Sequence, residues 1–148
     1  MARIFGRIET SIWQNAKFRA LSDDGRVLWL YTLCCPHGNA VGCFVLPEGY
    51  IMADLGWSAE RVSEAVSELL RNGLIDRCGT TALTLVRGWW GHNTIENRNV
   101  AKAAIKTIEA LPRCPLFFKF IKAVDRFPEQ LLKEFRNRYP NGLPNRSE

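Results

Sequence analysis

Cys34, Cys35, His37 and Cys43 fall within the short run CCPHGNAVGC, four side chains able to ligate a metal. Zinc sites pair such ligands two to four residues apart around a tight knuckle. Adjacent Cys34 and Cys35 leave a helix end in different directions. The run therefore reads as a helix stop and a turn into a strand, and no metal or other cofactor is expected. His92, in WWGHN, is a potential base, yet no nucleophile or carboxylate is spaced around it. Gly-rich phosphate loops, HExxH and GxSxG do not occur in the sequence. The reading is a binding protein, not an enzyme.

Charge placement suggests what is bound. Residues 1–21 carry four Arg/Lys against one Glu, and residues 88–148 carry eleven against six Asp/Glu. Between them, residues 22–87 carry five Arg against eight Asp/Glu. Basic flanks favour a polyanion such as nucleic acid; a solvated, mildly basic surface has the same composition. No apolar run approaches the roughly 20 residues of a membrane span, and MARIFGRIET lacks the apolar stretch of a signal peptide. Five cysteines without CxxC spacing read as reduced thiols. A cytoplasmic protein with no membrane partner is expected.

The elements that must position these charges follow from periodicity and punctuation. ETSIWQNAKFRAL predicts a short helix with Trp13 inward. LSDDGRVLWLYTLCC predicts a second, capped by Ser22, with Asp23 and Asp24 where the helix dipole favours negative charge. Val27, Leu30, Tyr31 and Cys34 share one face, while Trp29 and Leu33 project from the other. Such a helix is buried on two sides, so the C-terminal segment or a partner must cover Trp29 and Leu33. GCFVLP predicts a strand and EGYIMADLG a helix ending at Gly56. WSAERVSEAVSELLRNGLI predicts a helix with Ser58 as cap, Trp57 and Val62 as hydrophobic staple, Leu70 among its apolar positions, and Gly73 as left-handed C-cap. LIDRCGTTALTLVRGWW predicts a hairpin turning at residues 79–81 and closing on the tryptophans. Beyond it, Asn99 is expected to cap a helix ended by Pro112. Further helices are expected from Pro115 to Phe127 and from Pro128 to Tyr139.

Helix, strand, helix, helix, hairpin is the order of a winged helix-turn-helix. The expected fold is mainly α (α+β): a winged helix over 1–90, a helical basic extension over 91–139 and a disordered tail over 140–148. On such a fold the helix at 58–72 reads DNA through Ser58, Arg61, Ser63, Ser67 and Arg71, and the earlier helix crosses the backbone. Glu60, Glu64 and Glu68 on the same face argue instead for a helix that completes the core or meets a protein. The wing offers Arg77, Thr80, Thr81 and Arg87 to phosphates. The extension offers Arg98, Lys102 and Lys106, adding salt-sensitive affinity. Lys119, Lys122, Arg126, Lys133, Arg136 and Arg138 read more as a solubilising face.

The stretch GWWGHNTIENRNVAKAAIKTIEALPRCPL resembles the segment after the winged helix in phage and prophage replication proteins. The matching residues are Trp89, Trp90, His92, Asn93, Glu96, Asn97, Asn99, Val100, Lys102, Leu111 and Pro112, with Arg98 where the family often has Pro. LSDDGRVLWLYTL and DLGWSAERVSEAVSELLRNGLI are similar to the same family. The resemblance implies a winged helix like the N-terminal part of the primosome protein DnaD and other replisome organisers. It also implies binding of duplex origin DNA in replication initiation, with recruitment of a replicative helicase or loader. The alternatives are a protein-interaction or homodimerisation module with little DNA affinity, in which Trp29 and Leu33 meet the partner, and a transcriptional regulator.

Overall fold

The computed structural model describes residues 4–144; residues 1–3 and residues 145–148, the end of the expected tail, lie outside the described residues. Asn15 divides the first segment. Its side-chain oxygen accepts from the Phe18 amide at 3.1 Å and caps α1, Ala16–Arg19, behind a 3-10 turn at Thr10–Gln14. The division turns Ile12 and Phe18 inward and leaves Trp13 59% exposed, edge-on to Phe18. A continuous helix with Trp13 inward therefore does not form.

In α2, Asp23–Cys34, the Ser22 hydroxyl accepts from the Gly25 amide at 3.0 Å. The helix is buried on two sides, but its inward faces are set by Leu28, Trp29, Tyr31, Thr32 and Leu33. Val27 is 43% exposed and Cys34 is exposed, against the periodicity reading. One cover is α4, which approaches so closely at Gly25 that a Cβ there would meet Glu68. The other is the N-terminal segment: Gly6 lies against Leu33 and Cys34, and Ile8 and Ile12 join the cluster holding Trp29.

β1 is Cys43–Val45 and α3 is Glu48–Leu55, which stops at left-handed Gly56 (φ 67°). Asp54 ties α3 to α2 and to the loop after it, accepting from the Tyr31 hydroxyl at 2.6 Å and pairing with His37 Nε2 at 2.8 Å. α4, Ala59–Arg71, carries the clearest amphipathic pattern in the chain and buries Val62 and Leu69 completely. Each such side chain is worth roughly 1.5–3 kcal/mol of transfer free energy. Leu70 falls off that stripe and is 41% exposed. At the C-terminus the Leu74 amide donates to the Leu69 carbonyl at 3.0 Å across Gly73 (φ 68°), a Schellman ending.

β2, Ile75–Arg77, and β3, Leu83–Val86, form the hairpin, and the antiparallel sheet runs β1-β3-β2. Cys43 pairs with Leu85, Phe44 with Thr84, and Ile75 with Val86. The period of two divides these residues between opposite faces. Phe44, Ile75 and Val86 pack on the cluster built by α1–α4, whereas Cys43, Leu83 and Leu85 pack on a second cluster.

The tryptophans do not prolong β3. Left-handed Gly88 (φ 76°) turns the chain into α5, Trp89–His92. Trp89 is 2% exposed, donates from its indole to the Ala40 carbonyl at 3.1 Å, and fills the space where Gly42 has no Cβ. Half-buried Trp90 touches both clusters. Asn97, not Asn99, caps α6, Arg98–Glu109, by accepting from the Val100 amide at 3.0 Å. α7, Pro115–Lys122, ends well before Phe127; a 3-10 turn at Val124–Arg126 follows. α8, Glu129–Arg138, packs along α6. Arg113 links α6 to α7, donating to the Ile108, Glu109 and Leu111 carbonyls while its guanidinium lies 4.2 Å over Phe117. The described chain is thus mainly helical α+β, eight helices about one small antiparallel sheet. No described helix is long and apolar enough to cross a membrane.

Candidate nucleic-acid interface

The outward side of α4 is occupied by internal contacts. Ser58 is its N-cap, accepting from the Arg61 amide at 3.2 Å. The Arg61 guanidinium lies 4.3 Å over Trp57 and makes two bonds to Asp24, at 2.8 and 2.9 Å. These bonds hold the Asp24 carboxyl below its ordinary range. Glu68 reaches back to α2, accepting from the Ser22 amide at 2.8 Å and its hydroxyl at 2.5 Å. Ser63, Ser67 and Arg71 stand in a groove of about 820 Å³ shared with the start of α2. Asp23, Asp24, Glu64 and Glu68 give that groove four carboxylates against Arg71. Such a groove repels phosphate.

The hairpin spends its polar groups on itself. Arg77 points toward the α1–α4 side of the sheet, donating to the Leu46 carbonyl at 2.9 Å and the Thr84 hydroxyl at 2.8 Å. Its burial works against its charge. Thr81 accepts from the Leu83 amide at 3.2 Å, and the Thr80 hydroxyl lies 3.3 Å from the Cys78 thiol. Hydrogen bonds from Thr80 and then Thr81 bring the Cys78 thiol down to about 6. Trp29 and Leu33, 4% and 1% exposed, are covered from within the chain and offer no surface to a partner.

Arg87 and the extension fare differently. Arg87 bonds Asp76 at 2.7–2.8 Å, and Lys119 stands 3.7 Å from the same carboxylate. Arg98 clamps α6 to α8 through Glu134 at 2.7 Å. Lys102 and Lys106 are exposed without an ion pair among the described residues, beside a mixed-charge groove that also holds Glu109, Glu134 and Arg138. Lys133, Arg136 and Arg138 pair with Glu129, Asp125 and Glu109, all within the extension.

What the fold brings together is a cleft of about 590 Å³ between the end of β3, α5 and the α7 exit. Arg87, Lys119, Lys122 and Arg126 rim it; Asp125 is its one carboxylate and is held by Arg136 at 2.8 Å. Lys122 and Arg126 are exposed and make no ion pair among the described residues. Beneath them lies an apolar floor that includes Leu85, Trp90, Phe120 and Phe127. Of these residues only Arg87 is expected from sequence to meet nucleic acid; Lys119, Lys122 and Arg126 read there as a solubilising face, and Trp90 only as part of the resemblance. The available signal was the i, i+3, i+7 spacing of Lys119, Lys122 and Arg126 beside an aromatic pair. It was diluted by neighbouring cations that the fold neutralises.

Comparisons of the chain with protein-family models, curated proteins and solved structures return no match.

Proposed function

We propose that this chain is a nucleic-acid-binding protein of winged helix-turn-helix architecture that meets its polyanion with the cleft at the base of the hairpin. The observation that carries this reading is the rim of Arg87, Lys119, Lys122 and Arg126 over an aromatic floor. Two of those cations, Lys122 and Arg126, make no ion pair among the described residues and are available to phosphate. The architecture is supported by the element order α2, β1, α3, α4, β2, β3 and by the sheet order β1-β3-β2, both of which a winged helix would have. The resemblance of residues 88–116 to phage and prophage replication proteins supports placing the binding in replication initiation. The helix at 58–72 then serves as a packing element, its Arg61 and Glu68 already committed to α2.

The test is a titration of labelled DNA at rising salt. Replacing Lys122 and Arg126 by Gln removes two phosphate contacts, so the log–log salt slope becomes shallower by roughly 1.8 on duplex. Replacing Arg71 by Gln leaves the slope unchanged. An unchanged slope in the double variant would overturn the reading.

A second reading is favoured by the acidic groove between α2 and α4: a module that receives a basic segment of a partner protein there. It predicts no DNA binding at low salt, and loss of partner capture in Asp23→Asn/Glu64→Gln.

A further inference from the structure

We infer that the cleft takes an unpaired nucleotide of a single strand, its base on the floor beside Trp90 and its phosphates on Lys122 and Arg126. The inference rests on the nucleic-acid reading above and narrows it.

The floor distinguishes this cleft from a surface that only neutralises phosphate. A duplex meets a protein with its sugar–phosphate rails, and its bases are stacked and paired inside. Against a duplex, the cations would find partners but the apolar floor would face charged backbone. A single strand presents both faces of its bases, and aromatic side chains on a positive groove stack them without reading sequence. At about 590 Å³ the cleft is the size of a small-ligand site, not of a double helix.

The two tryptophans are not equivalent. Trp89 is sealed against Gly42 and bonded to Ala40, so it is a structural anchor. Trp90 is only half-buried, lines the cleft and leans on Phe127 with ring centres 6.0 Å apart and planes 59° apart. That contact helps fix the place of the indole. The cations divide in the same manner. Arg87 and Lys119 share Asp76, while Lys122 and Arg126, exposed and without an ion pair among the described residues, can follow a flexible backbone.

The experiment compares four ligands on the intact protein by fluorescence anisotropy and competition at low salt. They are a short oligothymidine, the matching duplex, a strand of the same length made of abasic residues, and thymidine monophosphate. The inference expects the oligothymidine to bind best and the abasic strand to lose on the order of tenfold in affinity. The abasic strand keeps every phosphate and leaves the protein unaltered, so the result does not depend on a variant that folds. Trp90→Leu should reduce oligothymidine binding by a similar factor and erase most of the difference between oligothymidine and the abasic strand. Equal binding of oligothymidine and abasic strand would overturn the inference while leaving the nucleic-acid reading intact. Preference for duplex would do the same. A mononucleotide that binds more tightly than the strand would overturn it in favour of a free-nucleotide site. Absence of binding by every ligand would overturn both.

Discussion

Cys78 shows how much a single turn can change one side chain. Burial pushes the Cys35 thiol up to about 11 and the Cys43 thiol up to about 12, and it raises Cys34 as well. At Cys78 the hydroxyls of Thr80 and Thr81 hydrogen-bond the sulfur and favour the thiolate. At neutral pH iodoacetamide should therefore modify Cys78 before Cys34, Cys35 and Cys43, and Thr80→Val should slow that reaction; peptide mass mapping over time reads both. His92 carries a second residue-scale consequence. Its Nδ1 accepts from the Glu9 amide at 2.8 Å, and burial lowers its pKa below the unfolded value despite the opposing pull of Glu9. The unfolded chain then binds more protons, so the contribution of His92 is complete above about 6.5 and is lost as pH falls below it. The melting temperature should drop between pH 7.5 and roughly 5.5, and His92→Gln should remove part of that drop. Neither the lowered thiol nor the His92 contact was legible beforehand, because each depends on partners that the fold selects. The caps at Ser22 and Ser58 were legible because their partners are local.

At the scale of elements, glycines and prolines marked boundaries well, and periodicity did so less well. Gly56 and Gly73 stop α3 and α4 in the left-handed conformation, and Pro115 opens α7, as the sequence indicates. Periodicity places Val27 wrongly because a helix covered on two sides has no single apolar stripe to phase it, and Leu70 wrongly because it sits at the edge of the single stripe of α4. Trp13 was misplaced because Asn15 caps a new helix instead of continuing the first. An aromatic pair after Leu-Thr-Leu-Val has strand character, so the sequence places the tryptophans at the end of β3. Gly88 turns them out, and Gly42 makes the seat for Trp89. Gly42→Ala tests that seat. A Cβ at φ 69° would lie 2.3 Å from the Trp89 ring, combining left-handed strain with overpacking. It should cost roughly 3 kcal/mol in urea unfolding. A loss under about 1 kcal/mol would mean that the Trp89 contact yields easily.

For the whole molecule, the sheet is the element both clusters share. Its α1–α4 face and its extension face are each buried by side chains of alternating direction along β1 and β3. A chain ended at Gly88 would expose Cys43, Leu83 and Leu85 together. It should melt earlier than the full chain and bind a hydrophobic dye; a truncated chain of full-length stability would show that the extension is only appended. The same arrangement forms the cleft, since Lys119, Lys122 and Arg126 reach Arg87 only when α7 is laid on β3. The sequence displays its basic extension openly, but which cations stay unpaired is settled by contacts such as Arg98–Glu134 and Arg136–Asp125, distant in the chain. The most direct measurement is hydrogen–deuterium exchange of the intact protein with and without oligonucleotide. Slowed exchange over residues 86–90 and 119–127, with the 58–72 helix and the 78–82 turn unchanged, is the predicted result. Protection confined to the 58–72 helix and the hairpin tip would contradict the account.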